Sequence, residues 1–207
     1  MRYRLLLLFF LVFSGLYAQP EFQKTESLKT EAAAEVEKLS VLGQQINDML
    51  FSFAELGFQE HETFNYLTSL LEKYGFKIER GVAGVPTAWI ARWSNGSGKP
   101  VIALGSDVDC IPKASQKPGV AYYDPVVEGA PGHGEGHNSG QSVNIISALA
   151  LKKIMEREKI SGTIMLWPGI AEELVGTKAY YIRAGYFKDV DACIFTHVGD
   201  NLGVSYG

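Results

Sequence analysis

Helical and strand patterns alternate along this chain, and the alternation limits its fold more than any other feature of the sequence. Apolar residues recur at three- and four-residue steps over residues 28–53, which predicts one long amphipathic helix with Gly57 as its stop. The pattern is typical of a layered α/β domain in which some strands are parallel. Gly75 and Gly185 are the expected caps of two later helices. The other predicted elements are helices over residues 64–74, 139–158 and 177–184, and strands over residues 87–93, 101–104, 163–167 and 192–196.

The first residues have the pattern of an export signal. Arg2 and Arg4 precede an apolar run over residues 5–13, and we expect cleavage after Ala18. An uncleaved N-terminal anchor is the alternative, but the apolar run is too short for a good membrane span. We therefore predict a signal peptide over residues 1–18 and an exported protein, periplasmic or extracellular, with no membrane attachment after cleavage.

Charge and cysteine content limit the partners of the mature chain. Without residues 1–18 the chain has 17 basic and 23 acidic residues, a formal net charge of −6. This charge argues against nucleic acid or an anionic membrane as a partner. Cys110 and Cys193 both lie in apolar, strand-like contexts, where the expected role is a small buried hydrophobic residue. An exported chain could pair them, and the sequence leaves that question open.

A glycine-dense turn over residues 132–138 reads Gly-His-Gly-Glu-Gly-His-Asn and holds His133, Glu135 and His137 two residues apart. Imidazole and carboxylate groups are the ligands that a zinc-type divalent ion binds. The turn is therefore a candidate metal site, although His133 is equally well explained as a loop or supporting residue. Asn138 or Ser139, which follow directly, are the expected N-cap of the helix over residues 139–158.

Further polar groups stand at the ends of predicted strands. Asp109, Glu172, Glu173 and His197 each lie at or just beyond a strand, where sites in open α/β sheets form. Adjacent glutamates suit a metallohydrolase, since in an extended segment one side chain can face the metal while the other faces the water. Taken alone, each group is explained by a solvated surface or a satisfied core. Their common position at strand ends favours a shared metal site.

Several ordered motifs give the chain a recognisable family resemblance. It resembles zinc metallopeptidase family 20, the metallopeptidase and amidohydrolase family that includes aminoacylases and carboxypeptidase-like enzymes. The resemblance runs from about Leu50 to His197. The residues that carry it are 53–60, 81–87, 98–102, 115–117, 132–138, 162–164, 171–173, and 191–192 with His197.

The resemblance implies a zinc-peptidase-like (phosphorylase/hydrolase-like) α/β fold, with a mixed sheet flanked by helices. It also implies a site for one or two Zn²⁺ ions, with Mn²⁺ as the alternative. Glu172 falls on the position of the general base acting on a metal-bound water, and Asp109 on an acid that supports catalysis. The implied substrate is a small molecule, an N-acyl amino acid or peptide-like amide. The implied metal ligands are Glu135, His137, Glu173 and His197.

The sequence departs from the family in two ways. Related amidohydrolases usually carry Cys where this chain has Glu135, a harder, negatively charged ligand that could bridge two ions. Family members also continue into a lid or dimerisation domain and then supply a further His ligand, whereas His197 is the last histidine here. Residues 19–207 are thus expected to form the N-terminal part of a catalytic domain. A family-like homo-oligomer is expected only with the missing domain.

Two hypotheses follow from these observations. The first is that the chain is the N-terminal catalytic half of an exported, metal-dependent amidohydrolase in which Glu172 activates water. The second is that it is a non-catalytic remnant of such an enzyme that binds a metal or a partner. The change to Glu135 and the absent late histidine motivate the second hypothesis.

Overall fold

The computed structural model describes residues 21–205, so the signal peptide predicted for residues 1–18 lies outside the described residues and stays a prediction. In the described range, no helix combines the length and the apolar character needed to cross a membrane. The helices are α1 over residues 21–38, α2 Ser40–Phe53, α3 His61–Lys73, α4 His137–Glu158 and α5 Thr177–Ala184. The strands are β1 Lys77–Arg80, β2 Trp89–Asn95, β3 Val101–Asp107, β4 Gly162–Gly169 and β5 Ala192–Phe195.

The strands form one mixed sheet in the order β1-β2-β4-β3-β5. The three strands β4, β3 and β5 are parallel neighbours, and β2 pairs antiparallel with both β1 and β4. Parallel strands end on the same side of a sheet, so the chain leaves β3, β4 and β5 at one edge, called here the carboxyl edge. The predicted mixed sheet with parallel strands is confirmed.

Helices cover both faces of the sheet. Trp93 of β2 and Ile164 of β4 are register partners on one face, where Lys152 of α4 lies 5.4 Å from the centre of the Trp93 ring. Trp167 is three residues beyond Ile164 and therefore faces the other side, where it packs edge-to-face on Tyr181 of α5 at 5.7 Å. Burial of aromatic side chains on both faces gives the flanked-sheet architecture that the sequence predicted.

Buried amide side chains tie the first half of α4 to the carboxyl edge. Nε2 of Gln141 donates to the carbonyl oxygens of Ser106 (2.9 Å) and Trp167 (2.8 Å), which lie near the ends of β3 and β4. Nδ2 of Asn144 donates to the carbonyl oxygen of Gly105 at 2.9 Å. Buried polar groups must be hydrogen-bonded, so these contacts fix where the helix begins relative to the strand ends.

The long helix predicted over residues 28–53 is two helices in the structure. It breaks at Leu39, and α2 ends at Phe53 with Ala54 in the left-handed region, four residues before the predicted stop at Gly57. The two helices reach α4 by different contacts. Salt bridges to Arg157 and Lys153 hold α1, whereas the Ser142 hydroxyl donates to the Gly43 carbonyl of α2.

Two smaller predictions were wrong. The N-cap of α4 is Gly136 (φ 70°), and Asn138 lies inside the helix, because only a left-handed residue lets the chain turn sharply from the loop into the helix. Cys110 is buried as predicted, but Cys193 is exposed because it lies on β5, the outermost strand of the sheet. The two cysteines are unpaired in the structure.

Candidate metal centre

The sequence-predicted site residues meet at the carboxyl edge. Glu172 and Glu173 follow β4 in a one-turn 3₁₀ helix, His197 follows β5, and His137 is the first residue of α4. Glu135 lies in the glycine-rich turn just before α4. These five residues are called here the edge cluster. Segments far apart in the sequence therefore present carboxylate and imidazole groups to one place.

The ligand atoms of the edge cluster lie close enough to share an ion. One ligand atom from each of Glu135, His137, Glu172 and Glu173 lies within 4.8 Å of the others. The Nε2 atoms of His137 and His197 are 3.2 Å apart. Oε2 of Glu135 lies 3.8 Å from Nε2 of His137 and 3.9 Å from Nε2 of His197. Glu135 is therefore nearly equidistant from the two imidazoles.

The hydrogen bonds of the two histidines direct both free nitrogens into the cluster. Nδ1 of His137 donates to the carbonyl oxygen of Asp109 at 2.9 Å, and Nδ1 of His197 donates to that of Val198 at 2.7 Å. A neutral imidazole that carries its proton on Nδ1 has a lone pair on Nε2. Two such lone pairs 3.2 Å apart repel one another unless a cation lies between them. A divalent ion fits this arrangement.

The donor set consists of hard and borderline groups. It contains glutamate oxygens and imidazole nitrogens, which suit Zn²⁺ and Mn²⁺. The nearby thiol of Cys110 is a poor ligand because burial and the surrounding carboxylates raise its pKa to about 12. Oε1 of Glu173 is buried without a hydrogen-bond partner, an orphaned acceptor that metal ligation would satisfy.

Asp109 lies beneath the edge cluster and contacts two of its members. Its Oδ2 accepts a hydrogen bond from the backbone N–H of Glu173 at 3.0 Å, and its Oδ1 lies 3.5 Å from Nδ1 of His137. Burial raises the pKa of Asp109, but its bonds to His137 and to the backbone of the Glu172–Glu173 turn outweigh burial and lower it. Asp109 thus remains a carboxylate that orients a ligand on each side.

The charges of the edge cluster shift the affinity of His137 and Glu173 for protons. Burial lowers the pKa of His137, but the Asp109 carboxylate prevails and raises it to about 9. Burial and the Glu135 carboxylate raise the pKa of Glu173. Both groups therefore hold protons more tightly than usual, as expected where acceptors converge around a site for a cation.

Asp107 also lies at the site, although no pattern in the sequence favours it over Asp109. A ligand atom of Asp107 lies within 4.8 Å of ligand atoms of His137 and His197. Its buried carboxylate is paired with Lys178 of α5 at 2.8 Å. Burial raises the pKa of Asp107, and Lys178 partly offsets that effect. Its position as the last residue of β3 is the signal that could have identified it.

Two histidines of the chain lie outside the edge cluster. Nε2 of His133 is 3.0 Å from the carbonyl oxygen of Leu50, so this ring ties the glycine-rich turn to α2. Burial lowers the pKa of His133 to about 4. His61 is exposed at the start of α3. The structure thus gives His133 the contacts of a supporting residue.

A mixed sheet flanked by helices, with carboxylates and imidazoles at its carboxyl edge, defines the chain as a metallopeptidase-type α/β protein. No family model matches the sequence. Individual proteins do match: one of the subunits of p-aminobenzoyl-glutamate hydrolase from Escherichia coli is 38% identical over 152 residues, covering 73% of this chain and 31% of that protein. Xaa-Arg dipeptidase from Mus musculus is 28% identical over 179 residues, covering 83% of this chain and 38% of the dipeptidase.

Solved structures give the same result. The YXEP protein of Bacillus subtilis, described as a dinuclear metal-binding peptidase from the M20 family, matches with a TM-score of 0.64 and 25% identity, over 80% of this chain and 45% of that one. An aminobenzoyl-glutamate utilization protein from Klebsiella pneumoniae has the same fold, with a TM-score of 0.63 and 16% identity, over 82% of this chain and 46% of that one.

The predicted resemblance to zinc metallopeptidase family 20 is therefore confirmed, and the chain is a relative of these hydrolases. The p-aminobenzoyl-glutamate hydrolase branch, which the motifs resemble most, is among the matches. The chain spans between about a third and a half of the length of these relatives.

Proposed function

We propose that this chain forms part of a metal-dependent amidohydrolase that cleaves an amide bond in N-acyl amino acids or small peptide-like substrates. The convergence of the His137 and His197 Nε2 atoms, 3.2 Å apart and surrounded by glutamates, is the observation that carries the proposal. The hydrolases among its relatives, two of them named for dipeptide or aminobenzoyl-glutamate substrates, support the substrate class.

Four residues of the edge cluster would hold the metal: Glu135, His137, Glu173 and His197. Glu135 lies between the two histidines, as a carboxylate that bridges two ions would. A bound Zn²⁺ or Mn²⁺ ion lowers the pKa of water and polarises a carbonyl group. The chain contributes by fixing its ligands, since the Asp109 carbonyl and carboxylate orient His137 and Glu173.

Glu172 is the residue that we assign to proton transfer. An extended segment would place Glu172 and Glu173 on opposite sides, but the two residues lie in a 3₁₀ turn with both carboxylates in the same cluster. Glu173 has the buried, orphaned oxygen that suits a ligand, which leaves Glu172 free to act on water. Its carboxylate would take a proton from the attacking water and deliver it to the leaving nitrogen as the C–N bond breaks.

Replacement of Glu172 tests this assignment. Glu172→Gln keeps the size of the side chain but cannot accept the proton, so we expect turnover of an N-acyl amino acid panel to fall about 10²–10⁴-fold. Metal content, measured by mass spectrometry, should equal that of the unmodified chain. Retained turnover in Glu172→Gln would refute the role of Glu172.

The same assay separates the two hypotheses on function. The unmodified chain, loaded with Zn²⁺ or Mn²⁺, should hydrolyse at least one member of the panel. If the chain binds the metal but hydrolyses none of the substrates, the non-catalytic, metal-binding alternative is favoured instead.

A further inference from the structure

The segment between α2 and α3 lies directly under the edge cluster. Residues 54–60, called here the support loop, belong to a motif of the sequence that the proposed chemistry does not use. Within it, the carbonyl oxygen of Glu55 accepts a hydrogen bond from the backbone N–H of Cys110 at 2.9 Å, and Leu56 forms an isolated bridge to Cys110. The support loop therefore contacts the chain immediately after Asp109.

The carboxylate of Glu60 makes the second contact of the support loop. Its Oε1 accepts a hydrogen bond from the backbone N–H of Ala171 at 2.9 Å, and its Oε2 accepts one from the Thr87 hydroxyl at 2.9 Å. Glu60, Thr87 and Ala171 are all fully or almost fully buried. A buried carboxylate needs such donors to be tolerated, and here one of the donors is the residue that precedes Glu172.

Ala171 has a backbone conformation that needs outside support. Its φ of 51° and ψ of 46° lie in the left-handed region, which a non-glycine residue adopts only where its surroundings impose it. This conformation turns the chain from β4 into the Glu172–Glu173 turn. Gly57 of the support loop packs so closely that an added Cβ would lie 2.8 Å from the Ala171 Cα. The support loop thus restrains Ala171 by a hydrogen bond and by packing.

We infer that Glu60 is a positioning residue that fixes the turn carrying Glu172 and Glu173 through its hydrogen bond to the Ala171 backbone. The inference rests on the proposed function of that turn. The turn is held at two points, since the N–H of Ala171 donates to Glu60 and the N–H of Glu173 donates to Asp109. Loss of the first bond would leave Ala171 free to relax and would move a metal ligand and the base together.

Two substitutions separate the reach of Glu60 from its charge. Glu60→Gln keeps the length of the side chain: its amide oxygen can accept from Ala171 and its amide nitrogen can donate to Thr87. Glu60→Asp keeps the charge but is one methylene shorter, and so it loses contact with Ala171. Thr87→Val is the matched control, because it removes the other side-chain bond to the same carboxylate and leaves the Ala171 bond in place.

Affinity for Mn²⁺, measured by titration calorimetry, should separate these variants. We expect Glu60→Asp to bind Mn²⁺ about 10–100-fold more weakly than the unmodified chain, the loss typical of residues that orient ligands. Glu60→Gln and Thr87→Val should stay within about threefold of it, even though Thr87→Val melts at a lower temperature. Wild-type affinity in Glu60→Asp, or a loss in Glu60→Gln alone, would overturn the inference.

Amide hydrogen exchange at Ala171, followed by NMR, tests Glu60 without any metal. The Ala171 amide should be protected in the unmodified chain and in Glu60→Gln, and exposed to exchange in Glu60→Asp. Equal protection in all three chains would contradict the inference. If the unmodified chain binds no metal, the proposed function fails, and the exchange pattern still decides the role of Glu60.

Discussion

At the scale of single residues, the site depends on which atom of each side chain is already occupied. His137 and His197 both use Nδ1 for a backbone carbonyl, so Nε2 is the only nitrogen left for a cation. Asp109 uses one oxygen for the backbone of Glu173 and places the other near His137. The ligands are therefore oriented before any ion binds, which reduces the cost of ordering them on binding.

Proton release from His137 is the prediction that belongs to this scale. The pKa of His137 is raised to about 9 in the metal-free chain, so the ring is protonated at pH 7 and must lose a proton to bind a metal. The apparent affinity should therefore rise about tenfold per pH unit as pH increases towards 9 and level off above it. Calorimetry in buffers of different ionisation enthalpy should show about one proton released per ion bound.

His137→Gln provides the control for that measurement. This variant lacks the titrating ring, so its residual metal binding should release about one proton fewer. An affinity that does not change between pH 6.5 and pH 8.5 in the unmodified chain would contradict the assignment of His137 as a ligand.

At the scale of elements, α4 is placed by close contact with β3 as well as by its buried amides. Gly140, in the first turn of α4, packs against Ser106 of β3 so closely that an added Cβ would collide with the Ser106 side chain. Gln141 and Asn144 then bond to carbonyl oxygens of the same strand region. The close approach allows His137, at the start of the helix, to reach the carboxyl edge.

Gly140→Ala tests this close approach. The new methyl group should push α4 away from β3 and lower the free energy of unfolding by about 1–3 kcal/mol, as overpacking does. Gly43→Ala in α2 is the matched control, because its Cβ would meet only the end of the Ile146 side chain at 3.1 Å, and alanine favours a helix. Denaturant unfolding measures both, and equal stability of the two variants would contradict the packing argument.

The elements also show what the sequence could predict. Apolar periodicity located α5 to the residue, because Gly185 marks its end, and it located the runs that became β2, β3, β4 and β5. It missed β1, whose residues Lys77–Arg80 are mostly exposed at the sheet margin and show no apolar alternation. It also missed the break at Leu39, because the break depends on how α1 and α2 each dock on α4 and has no proline or glycine to mark it.

The candidate site was only partly predictable for a related reason. Strand ends and the glycine-rich turn indicated Glu135, His137, Glu172, Glu173 and His197, since local pattern places a residue at an element end. Asp107 and Glu60 were not identified, because their importance arises from burial and from partners 64 or more residues away. Asp107 pairs with Lys178, and Glu60 bonds to Ala171 at a separation of 111 residues.

At the scale of the whole molecule, the edge cluster joins parts of the chain that otherwise share few polar contacts. His197 follows β5, the outermost strand, while His137 begins α4 and Glu173 follows β4. An ion held by all three would tie the margin of the sheet to its centre. Its binding free energy would then add to the stability of the folded chain.

Metal titration of the metal-free chain tests the central claim most directly. Calorimetry with Zn²⁺ and Mn²⁺ should show one or two ions bound at micromolar or tighter affinity. His197→Ala should bind at least about tenfold more weakly, because it removes an imidazole nitrogen from the cluster. His61→Ala, which removes an exposed histidine at the start of α3, should bind as the unmodified chain does. No binding by the unmodified chain at micromolar concentrations, or equal affinity in His197→Ala, would contradict a metal centre at the carboxyl edge.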